Sequence, residues 1–197
     1  TDAYHFEVIP GARYMIRAKG ANSNFDAVMR IYSPSGALFA TLNETNNLTE
    51  FSQILDTAGT WYLLLNEKDG DASGVYYLSF IEVGATACAG NLSCGQSLQG
   101  NLAQNTSWKQ FRVSASAGQK LVARGQAQSG FTPRLDLFRA NGFLASSSQN
   151  GRIDYAIDAS GDFYLLISDN AAAGSGTFQL AMQWADDSGC GPTVSYN

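Results

Sequence analysis

The stretch LDTAGTWYLLLNEKDGDASGVYYLSFIE, Leu55 to Glu82, returns without a gap as IDASGDFYLLISDNAAAGSGTFQLAMQW, Ile157 to Trp184. Identities fall at Asp56/Asp158, Gly59/Gly161, Tyr62/Tyr164, Leu63/Leu165, Leu64/Leu166, Ser73/Ser175, Gly74/Gly176 and Leu78/Leu180. Working outward, FDAVMRIYSPSGALFA from Phe25 matches FTPRLDLFRANGFLAS from Phe131. FEVIPGARYMIRAKG from Phe6 matches FRVSASAGQKLVARGQ from Phe111, with two extra residues in the second stretch. The order is kept throughout, so the chain is an internal repeat. CGPTVSYN, Cys190 to Asn197, resembles CGQSLQGN, Cys94 to Asn101. Cys94 therefore begins the second repeat, and the first has no such opening strand of its own. The tail either begins a third repeat or donates its strand to the incomplete first unit, in the same chain or from a neighbouring molecule.

Nearly every segment alternates at period two, the signature of half-buried strands. Tyr14, Ile16 and Ala18 share one face, with Arg13 and Arg17 on the other. Met29 and Ile31 alternate with Arg30 and Tyr32, and Tyr76, Leu78 and Phe80 with Tyr77 and Ser79. Turn signals divide the runs: Ser33-Pro34-Ser35-Gly36, Ala58-Gly59, Asn141-Gly142 and Ser160-Gly161. No stretch has the pattern of an amphipathic helix. The chain is predicted to be all-β, with two tandem antiparallel, jelly-roll-like β-sandwich domains. The first spans 1–83 and the second 94–185, with a linker at 84–93 and a tail, or the start of a third repeat, at 186–197. One strand breaks the alternation: Trp61–Leu65 and Phe163–Ile167 are apolar on both faces. With Trp61, Leu63 and Leu65 inside, Tyr62 and Leu64 point outward. That outer strip is covered by a neighbour or presents its rings to a polymer.

With 197 residues, 45% of them apolar and 12% aromatic, the chain has material for real cores. A net charge of −5 and a charged fraction of 15% argue against nucleic acid and anionic membrane surfaces, which need clustered Lys and Arg. No apolar run approaches the ~20 residues of a membrane-spanning helix. Cys88 and Cys94 are predicted to close a small disulfide loop, which suits an oxidising compartment; Cys190 has no evident mate. Few charges and abundant Asn, Ser, Thr and Gly suit a secreted or cell-surface protein.

The shared residues carry a resemblance. Phe-x-Val…Gly comes near a first strand, then Asp26 before a strand. Asp-x-Ala-Gly-x-Trp-Tyr-Leu-x-Leu follows from Asp56, then Gly-x-Tyr-x-Leu from Gly74. This pattern resembles the bacterial pre-peptidase C-terminal domain, twice in tandem. The resemblance covers nearly the whole chain but rests on turn glycines and core aromatics. It implies β-sandwich modules appended to secreted peptidases and other exported enzymes, some of which bind collagen and some calcium. Asp26 of the family pattern is Thr132 in the second repeat, so a role needing that carboxylate is confined to the first.

Catalysis finds little support. His5 is the single histidine, too few for the Ser-His or Cys-His arrangements of nucleophilic hydrolases, and Gln110 stands in its place in the second repeat. Asp69, Asp71 and Ser73 spell the first half of a calcium loop, but the closing Glu is absent and Ala171 and Ala173 replace both acids in the second repeat. Calcium is thus the one cofactor to test. Tyr62, Leu64, Tyr77 and Tyr164, with Trp108, are the candidate residues of an outer binding face. The expected function is that of a non-catalytic accessory or targeting module of a secreted bacterial protein. Its partners would be neighbouring domains of a longer chain and an extracellular protein or polysaccharide. The alternatives are a lectin-like or collagen-binding-like protein and a purely structural repeat of a longer surface protein.

Overall fold

The structure is a computed structural model that describes residues 1–21, 25–45, 48–70, 73–85 and 89–185. The period-two runs are strands. In the first sandwich, β1 (Asp2–Val8), β6 (Gly59–Glu67), β3 (Ala27–Tyr32) and β4 (Leu38–Asn43) form one sheet, in that order. Facing it are β5 (Thr49–Leu55), β2 (Ala12–Gly20) and β7 (Tyr76–Val83). Tyr14, Ile16 and Ala18 from one sheet meet Met29, Ile31, Trp61, Leu63 and Leu65 from the other in a buried core. These are the faces the alternation assigns inward.

The second sandwich repeats the plan. One sheet runs β13 (Leu144–Ser148), β12 (Pro133–Arg139), β15 (Gly161–Asp169), β10 (Trp108–Ala115), β8 (Ala89–Asn91). The other runs β14 (Arg152–Ala156), β11 (Lys120–Ala127), β16 (Gly176–Trp184), β9 (Ser97–Leu102). Val113, Leu121, Leu135, Leu137, Leu165, Ile167, Phe178 and Leu180 fill its core. β1 to β7 therefore recur in order as β10 to β16, and among the described residues all strand pairings are antiparallel except one. The exception lies in the expected linker, where β8 adds to β10 in parallel.

Strand register corrects the alignment at the start of each repeat. Phe6 lies opposite Trp61, and Val113, not Phe111, lies opposite the equivalent Phe163. Gly11 (φ 82°) and Gly118 (φ 89°) turn the chain at matching points. Their N–H groups reach Leu55 O at 2.9 Å and Ile157 O at 2.8 Å. No insertion separates the two copies here, and the counterpart of His5 is Arg112, not Gln110. The two Phe-x-Val strings had matched in sequence two residues out of structural register.

The sandwiches meet along a seam. The outer face of the β5-β2-β7 sheet packs on the outer face of β12-β15-β10. Met15 and Val83 from the first and Trp108, Phe138, Tyr164 and Leu166 from the second form a third buried cluster. Among the described residues no helix is long and apolar enough to cross a membrane.

Candidate functional site

The four residues named for an outer face do not come together. Tyr62 and Leu64 project from β6 on the outside of the first sandwich, Tyr62 at 47% exposure and Leu64 half-buried. Tyr164 and Leu166 occupy the equivalent positions on β15, yet Tyr164 is only 6% exposed because the first sandwich covers it. Trp108 is buried in the same seam. Tyr77 is half-buried and lies on the opposite sheet, paired with Lys19.

Cross-strand pairing shows what does surround Tyr62. Tyr32 lies opposite both Leu38 and Tyr62, and Tyr62 lies opposite His5. Leu38, Tyr32, Tyr62 and His5 thus form one row across four strands, on the order of 14 Å wide at normal strand spacing. Thr41, Arg30, Leu64 and Ala3 form the next. Leu38 is 54% exposed. The two rows join tyrosine rings and leucines to one guanidinium and one imidazole; in the second sandwich the positions of Tyr32, Tyr62 and Leu64 are Phe138, Tyr164 and Leu166, buried in the seam, whereas Leu144 in the place of Leu38 stays exposed. Tyr62 is legible in the sequence; Tyr32, Leu38 and His5 are not, because only register brings them alongside.

The calcium expectation is redrawn. Asp69 lies with Asp26 and Glu67, their carboxylate oxygens all within 4.8 Å of one another. Ser73 is exposed, and Asp71 lies outside the described residues. Glu67 accepts the Gly70 N–H, and Asp26 O accepts the Lys68 N–H at 2.9 Å. The second sandwich closes this corner without a cluster. Asp169, in the place of Glu67, accepts N–H bonds from Thr132 (2.9 Å), Ala173 (2.5 Å) and Gly174 (2.8 Å). A carboxylate ringed by backbone donors is satisfied as it stands. The sequence signals for the first site were Asp69 of the loop string and the Asp26-to-Thr132 difference; Glu67 gave none.

Charge is also buried in the seam. Arg17 is fully buried, its guanidinium 4.5 Å above the Trp108 ring and its Nε 2.5 Å from Glu50. Arg134 of the second sandwich reaches Glu50 at 3.6 Å and Asp136 at 2.9 Å. Burial draws the Arg17 guanidinium below its usual proton affinity, and Glu50 opposes that shift. Arg13 donates to Gly142 O at 2.5 Å, and Ser79 shares a 2.7 Å bond with Thr106. Cys94 is in a disulfide, whereas the expected partner Cys88 lies outside the described residues, as does Cys190.

No family model matches the chain, and no curated protein matches it. Solved structures similar to it include the pre-peptidase C-terminal domain of a collagenase from Bacillus anthracis. That domain is 14% identical at a TM-score of 0.41, covering 48% of this chain and 94% of that one. The periplasmic g-type lysozyme inhibitor PliG of Aeromonas hydrophila is 13% identical at a TM-score of 0.38, covering 48% and 97%. The CUB1-EGF-CUB2 domain of human MASP-1/3 spans 92% of both chains at 10% identity and a TM-score of 0.28.

Proposed function

We propose that this chain is a non-catalytic accessory module of a secreted bacterial protein, of the pre-peptidase C-terminal kind. In this reading it holds an extracellular polymer or partner domain on the outer face of its first sandwich. One observation carries it: the same strand position is buried as Tyr164 and exposed as Tyr62. The second sandwich spends the middle of this face, Phe138, Tyr164 and Leu166, on internal packing, while the first turns Tyr62, Tyr32, Leu38 and His5 outward. Aromatic rings at such a site add apolar area and ring stacking with little side-chain entropy to lose.

The test is co-sedimentation with collagen fibres, chitin, cellulose and bacterial cell wall, each with calcium and with a chelator. Saturable binding to one polymer is expected, weakened at least fivefold by Tyr62→Ala and unchanged by Tyr77→Ala. Binding that ignores Tyr62→Ala would move the site off this face; no binding to any of the four would end the polymer reading. The chelator arm examines the Asp26, Glu67 and Asp69 cluster. Loss of binding on chelation, reproduced by Asp26→Asn, would give calcium a role in holding that corner of the ligand face.

A further inference from the structure

The repeat keeps an aspartate just past β5 and just past β14, Asp56 and Asp158. The second sandwich closes its copy: Asp158 accepts from Arg139 Nη2 at 2.5 Å and from the Tyr155 hydroxyl at 3.2 Å. Register places Ser33 and Gln53 at those two partner positions in the first sandwich. Ser33 shares a hydrogen bond with Ser35 and donates to Ala37 O at 3.3 Å. Among the described residues no hydrogen bond or ion pair reaches the Asp56 carboxylate. A second position diverges as well. The Asn141-Gly142 turn is closed by the Arg139 N–H on Phe143 O at 2.9 Å, and its counterpart by the Ser33 N–H on Ala37 O at 2.9 Å. Phe143 thus stands where the first sandwich has Ala37, and it is 57% exposed.

The seam brings these two divergent positions to one place. An open cleft of about 530 Å³ lies between the sandwiches, lined by Arg13, Gln53, Ile54 and Asp56 from the first and by Asn141 and Phe143 from the second. Its size is that of a small-ligand site, and such sites favour domain junctions. The turn that carries Phe143 is held in place. Arg13 Nε donates to Gly142 O at 2.5 Å, and Arg13 Nη1 donates to Ser52 O at 3.0 Å. Gly142 (φ 77°) permits this close approach: a Cβ there would stand 3.0 Å from Arg13 Cβ and 3.3 Å from its N. Asn141 Oδ1 accepts the Phe143 N–H at 3.2 Å, and its Nδ2 has no partner among the described residues.

We propose that this cleft binds a neutral oligosaccharide, with one sugar ring lying on Phe143 and its hydroxyls bonded to Asp56, Asn141 and Gln53. A pyranose has an apolar face of C–H groups and a rim of hydroxyls that donate and accept. Phe143 supplies the ring for the face; Asp56 accepts from the rim, and the two amides both donate and accept. Charge selects the class of sugar. Arg13 and Asp56 offset each other, and Arg13 is already committed to Gly142 and Ser52, so no surplus charge is left to hold a sulfated or uronate sugar. Asp56 and Asn141 belong to different sandwiches, so a bound sugar bridges the seam. Tyr62 lies on the other sheet of the first sandwich, away from this cleft.

The experiment is titration calorimetry of the intact chain with cellohexaose, maltohexaose and hexa-N-acetylchitohexaose, with a collagen-like triple-helical peptide alongside. Saturable binding of at least one sugar is expected. Phe143→Ala should weaken it about tenfold, the scale of one stacked ring and its lost area. Asp56→Asn should weaken it by about the same factor, through the loss of hydrogen bonds to a charged acceptor. Both residues are exposed, so both variants should keep the urea midpoint of the parent. Asp158→Asn, the same position in the second sandwich, should leave the affinity unchanged. No saturable binding of any of the sugars at millimolar concentration would overturn the proposal. So would sugar binding that survives both Phe143→Ala and Asp56→Asn, which would put the site elsewhere. Peptide binding lost in Phe143→Ala, with no sugar bound, would also overturn it and make the cleft a protein site. Co-sedimentation through Tyr62 has its own variant, so either result can fail alone.

Discussion

Tyr62 and Tyr164 hold the same place in the same strand, and only the second is buried. Alternation fixes which way a side chain points, but whether the outer side meets water is decided by what docks there. That is why both tyrosines read alike in sequence and the seam was not legible from either. Their truncations should separate cleanly. Tyr164→Ala removes a ring from a packed cluster and is expected to cost about 3 kcal/mol. Tyr62→Ala should change stability by no more than about 0.5 kcal/mol, as for other exposed positions. Urea unfolding of the two variants checks both. A pH effect belongs to this scale as well. Hydrogen bonding from Arg139, at 2.5 Å, holds Asp158 below the ordinary carboxylate range when folded. A carboxyl lowered on folding gives its stability above the unfolded value, near pH ~4, and loses it as pH falls through the folded value. Melting temperature should therefore fall less steeply for Asp158→Asn than for the parent between about pH 5 and about pH 3.

Among elements, the strands that alternate strictly were legible. Tyr14, Ile16 and Ala18 point where their spacing places them, and so do Met29 and Ile31. Three features were not. The offset at Phe6 was misjudged because two similar strings competed, and only pairing partners could choose between them. The β8 pairing was hidden because three residues are too few to show a period. The acidic corner combines residues from the start of β3, the end of β6 and the turn beyond it, a grouping made by chain topology rather than by sequence spacing. Gly100 shows what an element demands of one residue. A Cβ built there would stand 2.4 Å from Phe178 Cζ, inside contact distance, and the ring is fully buried. Gly100→Ala must shift β9 or Phe178 and is expected to cost about 1–3 kcal/mol. A lowered thermal midpoint with the strand content retained would be the observation. Unchanged stability would mean that the β9 edge yields freely.

At the scale of the molecule, the seam makes two repeats into one unit, and Arg17 is its centre. From its alternation with Ile16 and Ala18, Arg17 reads as a residue off the core of its own sandwich, which it is; its complete burial comes from the other sandwich. A charge taken out of water is tolerated only if its partners are well placed. Here Glu50 supplies the counter-charge and Trp108 a ring face, while Arg134 ties Glu50 to Asp136 across the seam. Arg17→Ala would strand Glu50 against Arg134 alone and open a void over Trp108. The expected cost is about 3–5 kcal/mol, the range for breaking a buried pair from one side. Because Arg17 belongs to neither sandwich core, the loss should appear as uncoupling. The parent should unfold in a single calorimetric transition, and Arg17→Ala in two, with the cores of the separate sandwiches intact. Pairing Arg17→Met with Glu50→Gln removes both charges and refills the space, so it should restore most of the coupling. Salt sharpens the contrast. Raising ionic strength should weaken the exposed Arg152–Asp154 pair while leaving the single transition in place, since screening acts on charges that water reaches. A parent that already unfolds in two steps would show that the seam is contact without coupling.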